Sequence, residues 1–135
     1  MDFYANWQSN ITHFYSKDIP SALRPYVNYE FSSGGVTGND FKEFDRKYRS
    51  AIKKLLPPGY LLYKWYPNHY ESSAVIRDTE GRFIYLHYSD VRFWKNEWVN
   101  KILIRTMNHE KDWRGGHNYS TDLVNLTEDI QKLWR

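Results

Sequence analysis

Residues 101–118 read KILIRTMNHEKDWRGGHN, a short apolar run followed by a polar segment with two adjacent glycines. Three consecutive branched apolar residues between a lysine and an arginine predict a central strand over 101–106 that is buried on both faces. The polar segment over 108–118 is typical of a loop rich in hydrogen-bond donors and acceptors. This loop is therefore the first part of the chain in which a functional surface is expected.

Further strand-like segments precede this strand. Residues 60–66 are aromatic and favour β-structure, and residues 73–77 alternate between apolar and polar side chains. Residues 78–81, Asp-Thr-Glu-Gly, predict a hairpin turn, after which residues 82–88 return as a second alternating segment. With the strand at 101–106 these segments predict an antiparallel sheet of about four strands. On the returning strand, one face carries Phe83, Tyr85 and His87 and the other carries Ile84, Leu86 and Tyr88.

Amphipathic helices are expected to pack on this sheet. The clearest one is predicted to follow Asn39 or Asp40, either of which can cap it, and to end at Pro57-Pro58-Gly59. Another is predicted from about Ser120 to the C-terminus, and a short one within residues 1–16. The fold class is therefore α+β, with helices packed on at least one face of the sheet. The apolar side of the first helix consists of Phe41, Phe44, Tyr48, Ala51, Ile52 and Leu55, and that of the C-terminal helix of Leu123, Leu126, Ile130, Leu133 and Trp134.

The length of 135 residues predicts a single domain with one hydrophobic core. Residues 32–38 are rich in Ser and Gly, which is typical of a hinge or of an ordered surface loop. We therefore expect an N-terminal arm with a flexible connection, residues 1–38, and an α+β core domain, residues 39–135. Such an arm either packs on its own core or is exchanged with a second copy, so the sequence allows a homodimer.

Composition restricts the functional classes. The net charge is +3 and the isoelectric point is about 9.0, which allows nucleic-acid binding without demanding it. The chain has no cysteine, which excludes disulfides, thiol catalysis and cysteine-based zinc sites. The N-terminus does not resemble a signal peptide, and no stretch approaches the roughly 18 apolar residues of a membrane span. We therefore expect a cytoplasmic protein that does not contact a membrane.

The polar side of the first helix carries a basic stripe of four cations. They fall within about 60° of one another at helical spacing, and their mutual repulsion is expected to be partly offset by Glu43 and Asp45. Such a stripe is either a solvated helix face or a contact for phosphates or for an acidic partner surface. The basic stripe consists of Lys42, Arg46, Arg49 and Lys53.

The loop after the last predicted strand carries a candidate partner- or anion-binding site. Arg105 stands at the end of the strand, two more cations follow, and the adjacent glycines allow the backbone to approach a ligand closely. The same residues also fit a loop that is held by an ion pair between Arg105 and Asp112 or Asp90. The Gly-x-x-x-x-Gly-Lys-Ser/Thr motif is absent, so a P-loop is not indicated. The candidate site consists of Arg105, His109, Lys111, Asp112, Arg114, Gly115, Gly116 and Asn118.

No group of residues in the sequence matches a known catalytic or metal-binding pattern. His109, Asp112 and His117 include suitable ligands and proton carriers, but they do not have the spacing of His-Glu-x-x-His. Ser89 and Asp90 are neighbours on a strand, so their side chains point to opposite faces and cannot pair. We therefore assign no catalytic residue, no metal and no cofactor.

Two aromatic segments interleaved with basic residues, 60–66 and 92–95, fit either of two roles. Aromatic rings beside cations form stacking platforms for single-stranded nucleic acid. In a chain that is 19% aromatic, such rings also fill the core.

The C-terminal half resembles small uncharacterised proteins of bacteriophages and mobile elements. In those proteins, a strand ending in Arg-Thr leads into a loop with Lys-Asp and Gly-Gly-x-Asn. The resemblance implies a phage-type accessory protein, and many such proteins are stoichiometric inhibitors of host defence, including anti-CRISPR proteins. The residues that carry the resemblance are 89–93, Trp98, 102–106, 109–112, Gly115, Gly116 and Asn118.

The leading hypothesis is therefore a non-enzymatic inhibitor acting in the host cytoplasm. It would use the loop and the basic stripe to engage a nucleic-acid-binding host defence protein or its nucleic acid. One alternative is a nucleotide-binding protein, either a sponge for a cyclic nucleotide or a phosphoesterase with His109 or His117 as the base. Another is a DNA- or RNA-binding module that contacts phosphates.

Overall fold

The computed structural model describes residues 19–114 and 116–134. Its helices are α1 (Asn39–Leu55), α2 (Glu97–Asn100) and α3 (Leu126–Lys132). Its strands are β1 (Leu61–Asn68), β2 (Glu71–Arg77), β3 (Phe83–Tyr88), β4 (Ile102–Met107) and β5 (Tyr119–Thr121). Two 3₁₀ turns, Ser21–Tyr26 and Gly35–Thr37, precede α1. In the described part of the chain, no helix is both long and apolar enough to span a membrane.

The five strands form one antiparallel sheet in the order β1-β2-β3-β4-β5, so each strand pairs with its neighbours in sequence. The α+β class and the antiparallel sheet are confirmed, with one strand more than the expected four. The extra strand is β5, which pairs with β4 through Ile102 and Thr121. The prediction of helix from Ser120 onward was wrong at its start. A turn follows β5, in which the carboxylate of Asp122 accepts a hydrogen bond of 2.7 Å from the backbone N–H of Asn125.

One face of the sheet, here called the inner face, forms the core together with α1. The helix buries Phe41, Phe44, Tyr48, Ala51 and Ile52, which confirms its predicted apolar side apart from Leu55, which is half-buried. The predicted division of β3 is also confirmed, because its even-numbered residues are buried on the inner face and its odd-numbered residues lie on the outer face. The sheet contributes Ala74, Ile76, Ile84, Leu86, Tyr88, Ile102 and Ile104 to this core.

Asp45 lies inside the molecule and does not balance the basic stripe, contrary to the expectation from sequence. It is 8% exposed, and its carboxylate accepts hydrogen bonds from the indole of Trp65 and the hydroxyls of Ser72 and Tyr88. A buried carboxylate needs such donors because it has lost its hydration. The helix is therefore attached to the inner face by a polar cluster as well as by apolar packing.

Residues 19–38 pack against α1 of the same chain. The ring of Tyr26 lies 5.1 Å from that of Phe44, and the Asp40 carboxylate accepts hydrogen bonds from the backbone N–H and the hydroxyl of Ser32. The segment over 32–38 therefore makes defined contacts with the helix that follows it. Residues 1–18, with the helix predicted within 1–16, lie outside the described residues. The buried side chains of this segment are Ile19, Leu23 and Tyr26.

Candidate functional site

The two surfaces predicted from sequence lie on opposite faces of the sheet. The basic stripe is on α1, which covers the inner face. Arg105 pairs across the sheet with Tyr85, whose side chain lies on the outer face. Trp113 of the loop after β4 packs on the same outer face, where its ring lies 5.7 Å from that of Tyr66 and 6.1 Å from that of Tyr85. A single flat partner surface therefore cannot contact both.

A groove of about 480 Å³ runs between α1 and the edge strand β1. Three residues of the basic stripe, Lys42, Arg46 and Arg49, line its helical wall, whereas Lys53 is exposed further along α1. β1 supplies the other wall. The residues that line the groove are Asn39, Lys42, Glu43, Asp45, Arg46, Arg49, Trp65 and Pro67.

The solvent-facing charge of this groove is predominantly positive. The carboxylate of Glu43 is 3.9 Å from the guanidinium of Arg46, but both side chains are more than half exposed, so the pair is weak. Among the described residues, no carboxylate lies within ion-pair distance of Lys42 or Arg49. The charge of Asp45 is directed inward to its three donors. An anion that enters the groove therefore meets cations that no strong ion pair neutralises.

The outer edge of β1 is poorly suited to pairing with a further strand. Its register shifts between Leu62 and Lys64, which indicates a bulge. Pro67 lacks a backbone N–H, and Lys64 places an exposed charge on the edge. A ligand in the groove would therefore be held by side chains rather than by strand hydrogen bonds.

Trp65 is fixed in the β1 wall of the groove. Its indole N–H donates to Asp45 at 3.0 Å, and its ring centroid lies 6.3 Å from that of Tyr48 and 6.4 Å from that of Tyr88. The residue is half-buried, so part of its surface remains open to the groove. The groove thus places a rigid aromatic side chain opposite three cations.

Arg105 belongs to the interior of the loop and not to its surface. It is 5% exposed, its guanidinium lies 4.6 Å from the ring centroid of Tyr85, and it donates to the backbone carbonyl of Asp112 at 2.8 Å. The expected ion pairs are replaced, because Asp112 contributes its carbonyl and Asp90 pairs with Arg92 at 2.8 Å. Arg105 therefore orders the loop and does not face a ligand.

Gly116 is needed for contact with β4. Its φ is +95°, and a Cβ atom there would lie 3.0 Å from the carbonyl oxygen of Thr106. The close approach that this glycine permits is thus to the chain's own backbone. Gly115, the other glycine of the predicted site, lies outside the described residues.

The other residues of the predicted loop site are exposed, apart from the half-buried Asp112. The backbone N–H of Asn108 donates to the Asp112 carboxylate at 3.0 Å, and this bond lowers the pKa of Asp112. Within the described residues, no three histidine or acidic side chains are grouped as a metal site. The loop therefore offers Lys111 and Arg114 as its exposed cations. The exposed residues are His109, Lys111, Arg114, Gly116 and Asn118.

A polar network on the outer face was not predicted from sequence. The hydroxyl of Ser73 is 2.9 Å from the hydroxyl of Tyr85 and 3.0 Å from Nδ1 of His87. Burial lowers the pKa of the His87 imidazole, although the carboxylate of Glu71 opposes this. The predicted four-residue turn at 78–81 would pair residue 73 with residue 86, whereas the pairing of Ser73 with His87 needs a five-residue connection over 78–82. The sequence signal was therefore one residue short of placing these two side chains together. The network links β2 to β3.

Comparison with known protein families, characterised proteins and solved structures finds no match for this chain.

Proposed function

We propose that the protein is a non-enzymatic binding protein that holds the phosphate backbone of nucleic acid in the groove between α1 and β1. The main support is that Lys42, Arg46 and Arg49 line one wall of a groove whose other wall contains Trp65. Cations along a groove contact phosphates, and an aromatic ring beside them is a common partner for bases.

The spacing of the cations supports contact with successive phosphates. Because an α-helix rises about 1.5 Å per residue, Lys42 and Arg46 are about 6 Å apart along the axis and Lys42 and Arg49 about 10 Å. The three side chains therefore lie along one line of about 10 Å, which allows them to contact neighbouring phosphates of one strand. The two arginines can also bind phosphate oxygens bidentately.

The resemblance to phage and mobile-element accessory proteins supports a role in inhibiting a bacterial defence system. A protein that covers the nucleic acid of a defence complex can block that complex stoichiometrically, without catalysis. The nucleotide-binding alternative has less support, because Arg105 and Gly116 contact the chain itself.

The test is the salt dependence of oligonucleotide binding by the wild type and by Lys42→Ala/Arg46→Ala/Arg49→Ala. Each contact with a single strand contributes about 0.7 to the slope of log affinity against log salt, so losing three contacts should reduce the slope by about 2. Between about 50 and 200 mM salt, that slope corresponds to a roughly 20-fold change in affinity.

The matched control is Lys111→Ala/Arg114→Ala/Lys132→Ala, which removes the same charge from the loop and from α3. This variant should keep most of the wild-type slope. Equal losses in both variants would show that only net charge matters, and a loss confined to the control would place binding at the loop. Either result contradicts the groove, as does an absence of salt-sensitive binding by the wild type.

The inhibitory role is tested by affinity capture from bacterial lysate with and without nuclease. A discrete host protein should be recovered with nucleic acid and lost on nuclease treatment and in the groove variant. Recovery of the same host protein by the groove variant after nuclease treatment would contradict capture through nucleic acid.

A further inference from the structure

Phe93 and Trp94 form an exposed aromatic pair in the connection between β3 and α2. They are 72% and 54% exposed, and Phe93 is the most exposed large hydrophobic residue of the described part of the chain. Leaving two adjacent rings in water forgoes several kcal/mol of burial, on the order of 1.5–3 kcal/mol for a side chain such as Phe. Such a pair is therefore a candidate contact surface.

The backbone that presents these rings is ordered. The Asp90 carboxylate accepts a hydrogen bond from the backbone N–H of Arg92 at 2.9 Å and pairs with its guanidinium at 2.8 Å. The guanidinium lies 3.9 Å from the ring centroid of Tyr70 and 4.9 Å from that of Phe93. The backbone N–H of Trp94 donates to the carbonyl of Asp90 at 3.0 Å. The rings are thus exposed on a turn that its own contacts hold in place.

A second set of contacts holds the far end of this turn. The side chain of Asn96 accepts a bond from the backbone N–H of Asn28 at 2.9 Å and donates to the Asn28 side chain at 2.7 Å. Both residues have positive φ, 61° and 66°, a conformation that asparagine tolerates better than most residues. The turn is therefore clamped to the segment before α1, and little ordering is needed when the rings bind a ligand.

The aromatic pair and the groove residue Pro67 lie towards the same end of the sheet, because Pro67 in β1 and Tyr88 at the end of β3 both pair with Ser72. Tyr70 connects the two places, since it follows the groove residue Pro67 by three positions and its ring lies 5.5 Å from that of Phe41 in α1. The backbone carbonyl of Tyr70 accepts a hydrogen bond of 3.1 Å from the backbone N–H of Val91, and the guanidinium of Arg92 lies over the ring of Tyr70. A strand that leaves the groove at this end therefore runs towards the connection that carries the aromatic pair.

The charges around the pair are locally balanced. Arg92 is paired with Asp90, and the ammonium of Lys95 is 3.8 Å from the carboxylate of Glu30. The turn therefore has little excess charge with which to attract phosphates, and its accessible feature is the faces of two rings. Unpaired bases stack on such faces, whereas the bases of a duplex already stack on each other.

We infer that Phe93 and Trp94 stack on unpaired bases of a strand whose phosphates lie in the groove, so that the ligand is single-stranded nucleic acid. This inference rests on the proposed function and adds the ligand class and two binding residues to it. The groove supplies the salt-dependent part of the affinity, and the aromatic pair supplies the preference for single strands.

The test compares Phe93→Ala/Trp94→Ala with wild type by fluorescence anisotropy, using a single strand of about 12 nucleotides and a duplex of the same length. Because stacking is worth about 1–3 kcal/mol per base, the variant should bind the single strand at least about 5-fold more weakly. Its salt slope and its affinity for the duplex should not change. Phe93→Tyr/Trp94→Tyr keeps two rings and should restore binding. The matched control is Tyr119→Ala, which removes a 51% exposed ring from β5 at the other edge of the sheet and should have no effect.

Each contrary outcome identifies which proposal fails. If the wild type binds single strand and duplex equally, or if the alanine pair binds both normally while the groove variant binds neither, the inference falls and the groove remains. If the wild type binds neither nucleic acid, the proposed function falls and the inference with it. If the alanine pair keeps its oligonucleotide affinity but loses a captured host protein, the rings dock on protein and the inference is wrong.

Discussion

Replacing Asp45 by alanine should destabilise the protein by about 1–3 kcal/mol. The change removes the acceptor of three hydrogen bonds, from Trp65, Ser72 and Tyr88. Ser72 and Tyr88 are 1% and 0% exposed, so water cannot replace the lost acceptor, but the Tyr88 hydroxyl lies 3.3 Å from the Ser72 hydroxyl and can still donate to it. The Ser72 hydroxyl is then the one buried donor left without a partner, and such a donor costs roughly 1–3 kcal/mol. The indole N–H of Trp65 borders the groove and can donate to water instead, so the loss of its bond to Asp45 adds no cost to this range.

The assay is equilibrium unfolding in urea, followed by far-UV circular dichroism, for Asp45→Ala, Tyr88→Phe and the double variant. Both single changes remove the hydrogen bond between Tyr88 and Asp45, so the double variant should be about 1–3 kcal/mol more stable than the sum of the two single effects predicts. The reasoning is refuted if Asp45→Ala costs less than about 1 kcal/mol, or if the two changes are additive.

Three further outcomes are expected. Arg105→Ala should lower the free energy of unfolding by about 2–4 kcal/mol and speed proteolysis of the loop. Arg105→Lys should not restore the lost stability, because lysine lacks the planar guanidinium. Unchanged stability would mean that Arg105 is a surface residue. Gly116→Ala should cost at least about 1–2 kcal/mol in urea unfolding, because alanine disfavours positive φ and its Cβ would press on the Thr106 carbonyl, whereas wild-type stability would contradict the contact. Burial lowers the pKa of His87 below its usual 6.5, so the unfolded chain binds this proton more readily, and stability should fall as pH drops from about 7 through that lowered pKa. His87→Asn should flatten this part of the stability profile, measured as urea midpoints between about pH 5 and 7, and an unchanged profile would exclude His87 as the cause.

α1 and the β2–β3 hairpin could be predicted because their signals are local. The helix repeats its apolar residues every three or four positions and ends at two prolines. In the hairpin, the carboxylate of Asp78 accepts hydrogen bonds from the backbone N–H groups of Glu80 and Arg82 at 2.9 and 2.8 Å. The turn is thus determined by residues that are adjacent in the chain.

β5 and the burial of Asp45 could not be predicted, because both depend on residues that are distant in the chain. Three residues are too few to show a strand alternation, and β5 is defined only by its pairing with β4. The donors to Asp45, on Trp65, Ser72 and Tyr88, are 20, 27 and 43 positions away. A charged residue among cations on a helix therefore resembles a surface residue until the sheet brings its partners together.

The candidate site also has one part that local sequence predicts and one part that depends on distant segments coming together. Helical spacing alone places Lys42, Arg46 and Arg49 on one exposed side of α1. The groove needs a second wall, and its position depends on β1 being the edge of the sheet next to that helix. The interior position of Arg105 likewise depends on the register that places Tyr85 opposite it.

The order of the strands also bears on how the protein forms. Every strand pairs with the one made just before it, so each pairing closes only a short stretch of chain, and its entropic cost is small. The turn of the β2–β3 hairpin is stabilised locally by Asp78. α1 is synthesised before any strand, so its apolar side is available for the sheet to pack on. Nothing in the pairing scheme requires an early strand to wait for a distant partner. We therefore expect the sheet to assemble while the chain is still being synthesised, strand by strand from β1 towards β5.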